Sequence, residues 1–219
     1  MRARRGASTP RTPRRPWSTR PGPLAWTRCR GTTRPGNGAR AQCLRAWTPE
    51  LALPDLSDDA LLDTMDAWLA PAFAGKTRLD ALEAHALANA LHGLLDWSQR
   101  RELDRLAPVR VTVPSGMDRP VTYAVDAHGQ PAPPVLAAKV QELFGLADTP
   151  RIVDGRVPLL LHLLSPAGRP LQVTADLRSF WDTTWPDVRK EMKGRYPKHP
   201  WPEDPWTAPA THRAKPRAR

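Results

Sequence analysis

The residues best suited to chemistry lie near the end of the chain, in VRKEMKGRYPKHPWPEDPW at 188–206. Arg189, Lys190, Lys193, Arg195 and Lys198 are interleaved there with Tyr196 and Trp201. Cations next to aromatic faces suit an unpaired nucleic-acid strand, through phosphate pairing and base stacking. A helix starting near Pro186 puts Arg189 and Lys193 four apart on one face, with Lys190 alongside. Beyond it Pro197, Pro200, Pro202 and Pro205 fix φ and hold their neighbours extended. Arg195 and Lys198 then continue the cationic row onto a ribbon that also carries Trp206. The plainer alternative is that Tyr196 and Trp201 fold back and staple the ribbon to its own domain. A third is that the proline–tryptophan ribbon engages another protein.

Other constellations are weaker. APAFAGKT at 70–77 fits a loose phosphate-loop pattern ending in Gly75, Lys76 and Thr77. A phosphate loop needs a buried strand before it, so that backbone N–H groups converge on the anion. Here a helix precedes it, Pro71 removes a donor and Phe73 adds bulk. Lys76 and Thr77 therefore read as a solvated loop and a helix cap, not as a nucleotide site. His85 and His92 share a helix face near Glu83 and Asp96, but no HExxH spacing supports a metal. His162 and Ser165, or Ser165 with His199, could be a hydrolase pair, yet Ser165 lacks the GxSxG elbow. No catalytic residue, metal or cofactor is assigned to this chain.

The elements that must position these groups follow from periodicity. Ser57 and the two aspartates after it cap a helix with Leu61, Leu62, Met65, Trp68 and Leu69 on one face. Thr77 caps a second, through Leu94. Asp96 caps a third, with Trp97, Leu103 and Leu106 inward. Period two then takes over: VRVTV (109–113) and VTYAV (121–125) predict a hairpin around a PSGM turn. VLAAKVQELFGL (135–146) has the spacing of an amphipathic helix ending at Gly145. Strands are predicted over 157–164 and 170–174, then DLRSFW and the basic helix. Trp68, Trp97, Phe144, Phe180 and Trp181 read as core.

The net charge of +11 over 219 residues is unevenly spread. Residues 1–49 hold 12 arginines and no Asp, Glu or Lys; residues 186–219 hold 9 basic and 4 acidic residues. The segment between keeps 12 basic and 18 acidic residues, so an acidic body carries two basic ends. Residues 1–48 are rich in Arg and Pro and are expected to be a disordered tail, since such a composition buries too little to offset chain entropy. Cys29 and Cys43 make neither a zinc site nor a disulfide framework. The longest apolar run, VPLLLHLL at 157–164, is strand length and far short of a membrane span. A cytoplasmic protein is the default.

Three long strings carry a resemblance: GRYPKHPWPEDP at 194–205, QELFGLADTP at 141–150 and GRVPLLLHLLSPAGRPLQVTADLRSFW at 155–181. They are similar to the C-terminal domain of HrpB-type ATP-dependent helicases, bacterial relatives of the DEAH-box RNA helicases. The likeness runs from about Leu51 to Lys215. It implies an α+β fold: a helical segment (49–107), then a small OB-like β-barrel domain (108–212) with a C-terminal helix and an extended Pro/Trp-rich tail. Residues 213–219 form a basic tail. It implies RNA or another single strand as partner, or the helicase core or another protein. The core's ATP and magnesium sites should lie upstream, where this sequence has the arginine-rich tail. The expectation is that residues 1–48 are a misassigned or frame-shifted start, and that this chain does not hydrolyse ATP.

Overall fold

A computed structural model of the chain describes residues 37–69, 89–91, 93–126 and 128–214. It begins with α1 (Asn37–Trp47), a 3-10 turn at Pro49–Leu51, α2 (Asp58–Asp63) and α3 (Met65–Leu69). Ser57 caps α2 by accepting from the Ala60 N–H at 3.3 Å. Helix α4 (Trp97–Leu106) starts at a capping box in which Asp96 and Gln99 satisfy each other's backbone N–H groups.

The expected disorder of residues 1–48 fails over α1. Ala41, Cys43 and Leu44 are buried there, with Leu44 fully so. Arg40 is buried too: its guanidinium donates to the carbonyls of Ala107 and Leu103 and pairs with Asp104 at 2.6 Å. Those carbonyls close the last turn of α4, where the helix dipole favours a cation and orphan acceptors need a donor. An arginine that composition counts as solvated is here a helix cap.

Strands β1 (Arg110–Thr112), β2 (Asp118–Thr122), β3 (Val135–Lys139), β6 (Leu160–Leu164) and β7 (Pro170–Thr174) form one sheet in the order β1-β2-β3-β6-β7. A separate hairpin joins β4 (Arg151–Ile152) and β5 (Val157–Pro158). All sheet neighbours are antiparallel except β3 and β6. The sheet is open: β1 and β7 lie at opposite edges and do not pair, so the expected OB-like barrel is not formed.

Residues 135–146 depart furthest from expectation. In place of a helix, Val135–Lys139 is a central strand, and Val140–Glu142 turns out of it as a 3-10 helix. Parallel pairing with β6 and antiparallel pairing with β2 satisfy its backbone on both sides, which outweighs the helical preference of Leu, Ala and Lys. Leu136 and Ala138 face the core with Leu161 and Leu163, each at most 1% exposed. The first hairpin is displaced from VRVTV/VTYAV, with β1 shortened and β2 starting three residues earlier than expected, and the strand expected over 157–164 is broken at buried Leu159.

After β7, Leu177–Ser179 and a π-helical turn at Phe180–Thr184 lead into α5 (Trp185–Arg195). They close an aromatic core. Phe144 meets Trp185 edge-on with centroids 5.4 Å apart, and Trp181 meets Trp185 the same way at 5.5 Å.

Candidate nucleic-acid interface

Helix α5 is anchored by its buried side, Trp185 and Met192, with Val188 half-buried between them. That orientation turns Lys190 and Lys193 outward. Lys190, Lys193, Arg195 and Lys198 are all exposed. Arg195 pairs with Glu191 at 3.4 Å across one helical turn, an exposed pair worth little. No carboxylate among the described residues pairs with Lys190, Lys193 or Lys198.

Arg189 has a different task. It is half-buried, donates from Nε to the Trp201 carbonyl at 3.0 Å, and pairs with Glu203 at 2.6 Å. It ties the ribbon back to the helix. Trp201 likewise leaves the set of base-stacking candidates. It is 6% exposed, its ring stacks on Trp185 at 5.9 Å, and its Nε1 donates to the Tyr196 carbonyl at 2.9 Å. Proline keeps the ribbon extended, but core burial decides which way its tryptophans point.

The ribbon is therefore an intramolecular strap. Trp185 Nε1 donates to the Pro202 carbonyl at 3.1 Å, and the Gly145 N–H to the Pro205 carbonyl at 2.9 Å. Gly145 has a φ of +78°, and a Cβ there would meet the Ala208 carbonyl at 3.5 Å, so glycine suits this crossing. Half-buried Trp206 carries the Arg178 guanidinium over its ring at 5.5 Å. These contacts do not support a free proline–tryptophan ribbon for another protein. Tyr196 stays half-buried, edge-on to His199 at 6.4 Å.

The hydrolase pair is not assembled. Ser165 is 1% exposed, and its Oγ accepts from the Arg169 N–H at 3.1 Å across the turn into β7. His162 is half-buried in β6 opposite Val173. The Nδ1 of His199 faces Gln141 Nε2 at 3.0 Å. Asp96 is occupied as a helix cap. Its proposed companions His85, His92 and Glu83, and the phosphate-loop look-alike Gly75, Lys76 and Thr77, lie outside the described residues. Among the described residues no three His, Cys, Asp or Glu side chains converge on a metal position. A shallow groove lined by Val111, Thr112, Val113, Pro114, Leu146 and Pro150 has an apolar wall and no charged group to hold phosphate.

The pattern of the family described as "ATP-dependent helicase C-terminal" matches residues 68–205. The chain belongs to the HrpB C-terminal helicase family. The ATP-dependent RNA helicase HrpB of Escherichia coli (strain K12) is 46% identical over 176 residues, which is 80% of this chain and 21% of that protein. A crystal structure of the E. coli DExH-box NTPase HrpB superposes with a TM-score of 0.73 at 45% identity, covering 81% of this chain and 21% of the other. A second, of the E. coli DEAH/RHA helicase HrpB, gives 0.61 at 43% identity, covering 75% of this chain and 20% of that one. The chain thus spans about a fifth of the length of the relatives it matches. Among its described helices none is long and apolar enough to cross a membrane.

Proposed function

We propose that this chain is an accessory nucleic-acid-binding domain of an HrpB-type RNA helicase and that α5 is its phosphate contact. The observation that carries the reading is the outward row Lys190, Lys193, Arg195 and Lys198 on an otherwise acidic body. A net-acidic surface repels a polyanion, so binding has to use its cationic ridges. Trp185, Met192 and the Arg189 tie hold the helix that presents this row. With Trp201 in the core, the contact is mainly electrostatic, and Tyr196 is the one ring left beside it. We assign no ATP or magnesium site to this chain.

The test is fluorescence anisotropy with a short single-stranded RNA across a salt series. The protein should lack residues 1–36, whose arginines would bind any polyanion, but keep α1. Lys193→Ala/Arg195→Ala should weaken binding, and each lost phosphate contact should reduce the salt slope by about 0.7. If the double variant binds like the parent, the row is a solvated face. A second reading, packing on the remainder of a helicase, draws on the outer sheet face. There Val173 is 51% exposed beside half-buried Leu160 and Leu164. A parent protein that shows no RNA binding even at low salt would favour it.

A further inference from the structure

Helix α4 opens on Trp97, expected in the core but 70% exposed. One turn later Arg101 lays its guanidinium over the ring, with Cζ 5.5 Å from the centroid. Leu103 and Leu106 take the buried side of this helix, so the capping box at Asp96 sets a register that sends Trp97 outward. Not every charge around the ring is held in an ion pair. Asp96 accepts from the Gln99 N–H and the Ser98 hydroxyl, each at 2.8 Å. Glu102 is held by Arg105 at 2.8 Å and Asp104 by Arg40 at 2.6 Å. Arg100 donates only to the Asp96 carbonyl, at 3.3 Å. Among the described residues no carboxylate is in ion-pair contact with Arg100 or Arg101, although the Asp96 carboxylate feels the Arg100 charge from a distance.

An exposed indole flanked by two guanidinium groups that no carboxylate holds in an ion pair matches one kind of partner better than others. A neutral apolar segment of another protein would have to desolvate both cations without return. A single-stranded nucleic acid brings a flat π-face for the ring and phosphates for the arginines. We propose that Trp97, Arg100 and Arg101 form a base-stacking platform for an unpaired strand. It is a second contact on a different element from the α5 row. The inference rests on the nucleic-acid reading above, adding a ring where that reading has mainly charge.

The experiment uses the full chain and a short thiouridine-substituted RNA, irradiated and then mapped by peptide mass spectrometry. Mapping is the decisive readout, because the arginines of residues 1–36 raise overall affinity for any polyanion. A cross-linked nucleotide should appear on the peptide that contains Trp97. Arg100→Ala/Arg101→Ala should cut its yield roughly 5-fold or more, whereas Trp97→Phe should preserve binding at that site. Since Trp97 is exposed, these variants should melt with the parent. A cross-link confined to the α5 peptide, insensitive to the arginine changes, overturns this inference and leaves the α5 reading standing. A parent that yields no cross-link anywhere overturns both. A Trp97 cross-link that survives loss of both arginines also overturns the platform as drawn.

Discussion

At the residue scale, burial assigns tasks that residue type alone does not. Arg189 and Arg40 look like solvated cations in the sequence, yet one ties the strap to α5 and the other caps α4. Cys43 is buried with its thiol against the Ala124 carbonyl at 3.3 Å, and burial pushes its pKa up to about 11. His199 shows a change that can be measured. Gln141 Nε2 can only donate, so Nδ1 of His199 accepts and the ring is neutral in this bond. Partial burial, and then the nearby Lys139 charge, lower its pKa from the ordinary 6.5. The unfolded chain therefore takes up a proton near pH 6.5 that the folded chain refuses. Stability from this group is present above that pH and declines as pH falls toward the folded pKa. The melting temperature should drop between about pH 7 and pH 5.5, and His199→Gln should flatten that drop. Parallel curves for parent and variant would show that His199 does not contribute.

At the element scale, α1 and β3 diverge furthest from what their sequences suggest. The α1 segment is NGARAQCLRAW, with few apolar residues, and only its partners make it worth folding. Leu44 is fully buried, and Trp47 packs on Tyr123 with centroids 6.4 Å apart. Leu44→Ala should cost about 2–5 kcal/mol in chemical denaturation, the range for a large-to-small change in a packed core. Deleting residues 1–47 should lower the melting temperature by several degrees. An unchanged melting temperature in both cases would mean that α1 does not pack as described. The segment 135–146 carries a helical spacing at Leu136, Val140 and Leu143, and all three are fully buried. They fit the core as strand plus 3-10 turn because flanking strands lie on both sides. The turn also places Glu142, fully buried, against the Arg119 guanidinium of β2. Such a pair joins β2 to the turn after β3 at the cost of desolvating both charges.

At the scale of the whole molecule, the strap and the aromatic core form one body. Trp185 touches Phe144, Trp181 and Trp201, which brings together the turn after β3, the π turn and the ribbon. The charged rows of α5 and α4 sit on the outside of that body. On the accessory-domain reading proposed above, the chain is expected not to turn over ATP by itself, with or without RNA. A phosphate-release assay checks this. Turnover above background that disappears in Lys76→Ala would mean that residues 70–77 do hold nucleotide.

Much of the fold, and the residue types of the candidate site, are legible in the sequence itself. Caps at Ser57 and Asp96, the strand at 170–174, most of the strand expected over 157–164 and the basic helix from about Pro186 are local patterns, formed by groups within a few residues of each other. The family, too, was carried by long unusual strings, and the cationic row is visible as residue types at helical spacing. What the tertiary structure alone decided is where amphipathic groups spend their hydrogen bonds and which rings are covered. Trp97 and Trp201 are both tryptophans in polar, basic surroundings, yet one is 70% exposed and the other 6%. The open sheet, the strand at 135–139 and the buried Arg40 likewise depend on partners dozens of residues away. Local sequence does not encode those partners, because burial is a property of what comes to lie on top of a residue.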